Sequence, residues 1–228
     1  MCTSIVFNAN KTVVGFNLDL LDMEYRVSTY EDIVSIDIKD AIEGWLPLFG
    51  VNSDGNFIAM PTCWPFDEKS DPKSSDDISV INLDIDLLTK KKSFDEVIDM
   101  VKTKNICSVP HITYMSSLTD RKGNVLHIVP GQGYKYYESP RYKVLTNFSP
   151  FKMDSELHPW MGLDRYTKAN ELLTKANDDF DVKDMFEILK AVSQQACPTV
   201  VSMVYDATNN IVYWCMNQKY DDIKHFKF

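Results

Sequence analysis

The sequence predicts an α+β domain in which antiparallel sheets lie between helices, and three observations predict it. Short apolar runs joined by turn-forming residues fill the first third of the chain. Helical stretches follow, and a last pair of strand-like runs closes the chain. The 228 residues suit a single domain over 1–228, and 44% hydrophobic with 12% aromatic residues suffice for a sizeable core. No internal repeat or linker divides the chain.

The elements follow in order. Runs 2–7 and 12–18 flank Asn8-Ala9-Asn10-Lys11, a hairpin signal. Runs 25–30 and 33–38 alternate apolar and polar side chains, as half-buried strands do. Runs 45–51 and 57–60 bracket the turn Asn52-Ser53-Asp54-Gly55-Asn56. The stretch 66–77 is polar, contains Pro72 and has no periodicity, so it reads as a solvated loop or a lid. Ser93 and Glu96 form a capping box, which opens a helix running to about Lys102. Strands are expected at 112–118 and 125–129, across the turn Asp120-Arg121-Lys122-Gly123-Asn124, and then at 134–137 and 142–146. Helices are expected at 164–175 and 182–194; in the second, Met185, Ile188, Leu189 and Val192 share a face. Strands 200–205 and 211–216 complete the chain. With a strand at each end, the N-terminus is expected inside a sheet.

The net charge of −9 leaves no basic stripe to displace counterions, which excludes a nucleic-acid partner. Five scattered cysteines form no CxxC pair and no Cys/His cluster of metal-ligand spacing. They read as reduced thiols, and neither a metal nor a cofactor is expected. A basic-then-apolar leader is missing, and no apolar run approaches the ~20 residues of a membrane span. A cytoplasmic protein with no membrane span is the expectation.

The chemistry-bearing residues begin at position two. Removing Met1 leaves Cys2 with a thiol nucleophile and a free α-amine as its base. Their ordinary pKa values, about 8.5 and about 7.7–8.0, are matched for proton transfer near neutrality. A cysteine there equally suits a buried strand. Asp19 ends the run that pairs with the Cys2 run, within reach of the N-terminus, and an ordinary turn aspartate fits as well. Asn147 stands where an apolar run stops; its amide suits either an oxyanion donor or a turn former. Arg165 lies in the first turn of a helix, where the macrodipole disfavours a cation; this suits a specific partner, although an exposed arginine is the default reading. His111, His127, His158 and His225 are far apart and none stands out. Gly131-Gln132-Gly133 is a turn, and Lys90-Lys91-Lys92 a solvated face. Trp45, Trp64, Trp160 and Trp214 read as core, with Trp64 and Trp160 close to the site segments and suited to an acyl pocket.

Together, Cys2-Thr3-Ser4-Ile5-Val6, Asn17-Leu18-Asp19, Leu145-Thr146-Asn147 and Asp164-Arg165-Tyr166 resemble, in that order, the choloylglycine hydrolase and acid ceramidase superfamily of N-terminal-nucleophile hydrolases. The likeness runs from Cys2 to the last strand. It implies a four-layer αββα sandwich and hydrolysis of a linear, non-peptide carbon–nitrogen bond in an N-acylated small molecule. By position it implies Cys2 as nucleophile and base, Asp19 orienting the α-amine, Asn147 in the oxyanion hole and Arg165 as charged support. Homo-oligomers are common in that superfamily, although no segment here marks an interface. This chain departs from the pattern at Phe16, where an arginine is usual, and at Thr62, where a donor asparagine is usual. With Trp64 and Trp160, these two are expected on the substrate side. Those departures keep two alternatives open: a weak or inactive member that binds acyl amides, and an N-acyltransferase.

Overall fold

The computed structural model describes residues 1–152 and 157–228. The chain runs β1 (Cys2–Asn8), β2 (Thr12–Asp19), β3 (Tyr25–Thr29), β4 (Ile33–Asp40), β5 (Gly44–Asn52) and β6 (Phe57–Ala59). Next come β7 (Ile78–Ser79), α1 (Val80–Leu88), α2 (Phe94–Thr103), β8 (Ile106–Cys107), β9 (Ser116–Thr119), β10 (Val125–Val129), β11 (Gly133–Tyr137) and β12 (Tyr142–Leu145). It ends with α3 (Leu163–Thr174), α4 (Val182–Ala191), β13 (Thr199–Asp206), β14 (Ile211–Met216) and β15 (Lys224–Lys227).

Two antiparallel sheets result, ordered β12-β1-β2-β13-β14-β15 and β11-β10-β9-β6-β5-β4-β3, beside a short parallel pair β7-β8. Alternation along the strands sorts side chains into three apolar layers. Cys2, Val6, Val14 and Phe16 of the first sheet meet Val34, Ile36, Phe49 and Val51 of the second, making the inter-sheet core. The opposite face of the first sheet, with Ile5, Phe7 and Val13, packs on Ala169 and Leu173 of α3 and Met185 and Leu189 of α4. The outer face of the second sheet, with Ile58, Leu118 and Leu126, packs on Leu83 and Leu87 of α1 and Val97 of α2. The layers are therefore helix, sheet, sheet, helix. β1 lies between β12 and β2, away from an edge.

Four differences from the sequence reading have local causes. α1 was missed because Ile78, Val80, Ile81 and Ile85 are β-branched strand formers, and Asp84 interrupts its buried stripe. The expected strand 112–118 is shortened to β9: Ile112 closes a turn onto Val109, and His111 takes a left-handed φ of 67°. The expected helix 182–194 ends at Ala191, which frees Gln194 to turn towards β2. The 66–77 stretch is pinned rather than merely solvated. Ser70 is buried against Thr113, and Asp67 meets Lys152 and Gln132.

Candidate active site

Cys2 starts β1 opposite Leu18 and points into the inter-sheet core, 3% exposed. With Met1 in place, its N–H donates to Asn147 Oδ1 at 2.9 Å. β12 delivers that oxygen: Leu145 pairs with Ser4, so the chain two residues beyond it lies level with Cys2. Asn147 Nδ2 donates to the Thr62 carbonyl at 2.6 Å, and the Asn147 carbonyl accepts from the Trp64 N–H at 2.6 Å. The 62–64 segment is thereby tied through Asn147 to the Cys2 backbone.

α3 supplies Arg165. The residue before the helix, Gly162, has φ +92°, and a Cβ there would stand 2.8 Å from Arg165 Nη2 and 2.9 Å from Thr146 Oγ1. Glycine thus serves both the left-handed cap and the close approach of the guanidinium. Arg165 is buried. Its Nη1 donates to the Cys2 carbonyl at 2.5 Å and to Thr3 Oγ1 at 2.8 Å, and its Nη2 donates to Asn147 Oδ1 at 2.7 Å. Nη1 also lies 3.5 Å from Asp19 Oδ2.

Asp19 is buried too, paired across β13 with Thr199. Its carboxylate accepts from Thr199 Oγ1 and Gln194 Nε2, each at 2.5 Å. Its carbonyl accepts from the Met1 ammonium at 2.7 Å. Burial raises the Asp19 carboxyl above its ordinary value, while Arg165, Thr199 and Gln194 pull the other way. The upward direction agrees with the 3.5 Å contact, which is too long for the bidentate pairing that would hold an aspartate low. Burial also pushes the Cys2 thiol up to about 11, opposed by the terminal ammonium and Arg165 and reinforced by Asp19. With Met1 attached, Cys2 is a protonated, inert thiol.

The structure thus brings Cys2, Asp19, Asn147 and Arg165 together. Thr62 joins them through its carbonyl; its backbone also bridges to Tyr114. Phe16 lies on the same inner face as Cys2, one step along β2 from Leu18 and opposite Ser4, fully buried and stacked on Phe49 at 5.0 Å. Trp64 stacks on Phe66 at 4.0 Å and meets Trp160 edge-on at 5.6 Å. Trp160 is 54% exposed, which corrects its reading as core: it sits in the short turn of 3₁₀ helix Pro159–Met161 at the surface. Trp214 is buried, whereas Trp45 lies half-buried under Arg26.

A cavity of about 750 Å³ opens beside the site, lined by Cys63, Trp64, Gln132, Lys152, His158 and Met161 among others. Cys2 does not line it; Cys63 and Trp64 do, and they follow Thr62, whose carbonyl holds Asn147. Sequence reasoning missed Thr3, Gln194 and Thr199. Thr199 comes opposite Asp19 only through the pairing of β13 with β2, which no local sequence pattern announces. Cys197 was also missed, its Sγ 3.9 Å from the Met1 nitrogen. Among the described residues no His/Cys/Asp/Glu group could hold a metal ion, and no helix is long and apolar enough to cross a membrane.

No protein-family model and no curated protein sequence matches the chain. Solved structures do. A variant of conjugated bile acid hydrolase from Clostridium perfringens superposes with a TM-score of 0.69 at 14% identity, over 100% of this chain and 92% of that one. Penicillin V acylase from Agrobacterium tumefaciens gives 0.66 at 13% identity, over 100% and 86%. The Caenorhabditis elegans ortholog of N-acylethanolamine-hydrolyzing acid amidase gives 0.61 at 18% identity, over 90% and 93%. The chain is similar to all three in fold along nearly its whole length, and that fold is the one the sequence resemblance implied.

Proposed function

We propose that this protein hydrolyses a linear, non-peptide carbon–nitrogen amide bond in an N-acylated small molecule, with Cys2 as nucleophile once Met1 is removed. One observation carries the reading. The backbone nitrogen of Cys2, the atom that would become the α-amine, is held by Asn147 Oδ1, itself gripped by Arg165 beside Asp19. A buried constellation around that nitrogen is more than a strand terminus needs. Its setting in a fold shared with enzymes named for cleaving conjugated bile acids, penicillin V and N-acylethanolamines supports the amide class.

In this reading, loss of Met1 uncovers Cys2 and gives it a free amine. The α-amine takes the thiol proton, and the thiolate attacks the amide carbonyl. Asn147 positions the amine through Oδ1. One Nδ2 hydrogen stays on the Thr62 carbonyl and the second is left for the oxyanion. Asp19 and Arg165 balance charge beneath the amine. The α-ammonium then protonates the leaving amine, and water activated by the same amine releases the acid from the thioester. The 750 Å³ cavity falls within the ~300–1,000 Å³ range of small-molecule sites and would take the acyl group against Met161 and Trp64, which Trp160 meets edge-on.

Phe16 favours a second reading, in which the protein binds acyl amides with little or no turnover. A fully buried phenylalanine stands where the resembling proteins usually carry an arginine that favours thiolate.

Intact mass before and after brief iodoacetamide treatment at neutral pH tests the proposal, followed by a screen of N-acyl amino acids and N-acylethanolamines. The expected result is loss of one methionine, rapid single labelling at Cys2, and turnover that Cys2→Ser abolishes without unfolding the protein. A mature, reactive Cys2 with saturable amide binding but no turnover selects the second reading. Retained Met1 with a sluggish Cys2, or full activity in Cys2→Ser, overturns the mechanism.

A further inference from the structure

The two sheets part where β10 and β11 face β12, and a second cavity of about 190 Å³ opens there. It shares no lining residue with the larger one among the described residues. Strand register fixes what faces it. His127 pairs with Lys135, and Tyr137 pairs with Val125, a residue of the inter-sheet core. His127, Lys135 and Tyr137 therefore share the inner face of the second sheet. Lys143 pairs with Val6, also an inter-sheet core residue, so it enters from the first sheet.

Two features of this cavity are unexplained by packing. His127 is 2% exposed, yet neither ring nitrogen has a hydrogen-bond partner among the described residues. An orphaned buried polar group is costly, so two unpartnered ring nitrogens at one cavity call for a partner. Both half-buried lysines rest on neutral groups only. Lys135 Nζ bonds the Pro150 carbonyl at 2.7 Å, and Lys143 Nζ lies 4.0 Å from the Tyr137 ring centroid. Among the described residues no Asp or Glu lines the cavity, and no ion pair includes either lysine. In a chain of net charge −9, two cations without counter-charge among the described residues, beside an imidazole unpartnered among them, are a built feature.

We propose that this cavity binds a small oxyanion, a carboxylate or a phosphate, between Lys135 and Lys143, with His127 as its neutral donor. Burial holds the imidazole neutral, with one N–H to give and no charge to be desolvated. The volume admits a small acid and falls below the ~300–1,000 Å³ of drug-sized ligand sites. Thr146 precedes Asn147, so an occupant would abut the strand end that carries the proposed active-site amide. The anion site itself does not depend on the hydrolase reading.

Isothermal titration of the purified protein with inorganic phosphate, and separately with acetate, in a chloride buffer tests this. Saturable one-to-one binding of either is expected. Tighter phosphate marks a phosphate ligand, and tighter acetate marks a carboxylate ligand. Lys143→Met and Lys135→Met should each weaken binding by roughly tenfold or more, equivalent to ~1.4 kcal/mol, whereas Lys143→Arg should keep it. In the wild-type protein the His127 ring resonances should shift along the same binding curve, a readout that needs no variant to fold. Absence of saturable binding, affinity unchanged in the folded Lys→Met variants, or unmoved His127 resonances would overturn the proposal.

Discussion

Asn147 Oδ1 accepts two hydrogen bonds at once, from the Cys2 N–H at 2.9 Å and from Arg165 Nη2 at 2.7 Å. The same guanidinium reaches the Cys2 carbonyl, so both ends of the Cys2 backbone hang on Arg165, one directly and one through Asn147. A single buried cation therefore sets where the first strand begins.

Removing that cation should cost the fold as well as the site. Arg165→Met leaves the buried Asp19 carboxylate without its counter-charge, and the Cys2 carbonyl and Thr3 Oγ1 without the guanidinium donor. The expected loss is ~3–5 kcal/mol, the range for breaking one partner of a buried charge pair. Arg165→Lys keeps the charge but cannot reach Cys2, Thr3 and Asn147 together, so it should fall between wild type and Arg165→Met. Urea denaturation of the three proteins checks the order; a wild-type midpoint for Arg165→Met would mean that the network is not structural.

Gly162→Ala should act on the same cation from outside. The new Cβ would meet Arg165 Nη2 and Thr146 Oγ1 at less than 3.0 Å and would demand a left-handed φ of an alanine. A loss of at least ~1 kcal/mol is expected from the backbone conformation alone. A larger change in Cys2 alkylation after Met1 removal is expected from the displaced guanidinium. If denaturant midpoint and alkylation rate both match wild type, the glycine is a helix cap and nothing more.

Much of the architecture was legible in the sequence because its strands are short, alternate cleanly and are joined by recognisable turns. β10 and the turn before it, and the Ser93–Glu96 box that opens α2, are examples. Less legible were elements whose local pattern misleads, as in α1, where β-branched residues and a buried Asp84 hide the helical period. That Cys2, Asp19, Asn147 and Arg165 lie together was legible through the resemblance of their four motifs, in order, to one superfamily. Gln194 and Thr199 were not. They reach the Asp19 carboxylate only because α4 stops early and β13 pairs with β2, and such long-range facts leave no local trace.

Asp84 should make stability fall with rising pH. It is buried on α1, its Oδ2 accepts from Ser116 Oγ, and its Oδ1 has no partner. Burial raises its carboxyl well above the ordinary value, with Ser116 only partly opposing. The folded state therefore holds a proton that the unfolded chain releases above about 4, and stability declines as pH rises through that window, then levels off above the folded value. Asp84→Asn has no proton to lose. It should match wild type at low pH and exceed it at neutral pH by ~1–3 kcal/mol, the usual cost of an unsatisfied buried polar group. Parallel stability curves for the two proteins would refute this.

His127 should produce the opposite slope. Burial, then Lys143 and Lys135, lower its pKa to about 3, against an unfolded value near 6.5. Below about 6.5 the unfolded chain takes up a proton that the folded protein refuses until about 3, so stability is full above that window and falls as pH drops through it, by roughly 1.4 kcal/mol per unit. The groups facing the ring are Lys135 and Tyr137 from β11, Lys143 from β12 and Ser117 from β9, and none is acidic. His127→Phe keeps an aromatic ring against Tyr137 and has nothing to titrate, so its stability should lose that acid-side slope. Urea titrations at neutral pH and near the middle of the window, in chloride buffers free of phosphate and acetate, make the comparison. The same pair of measurements with phosphate added carries the test further. An anion between the lysines would offset their repulsion of imidazolium and bring the folded pKa back towards the ordinary value. The wild-type slope should then flatten while His127→Phe stays unchanged, and a wild-type slope that ignores phosphate would mean that burial alone sets the titration.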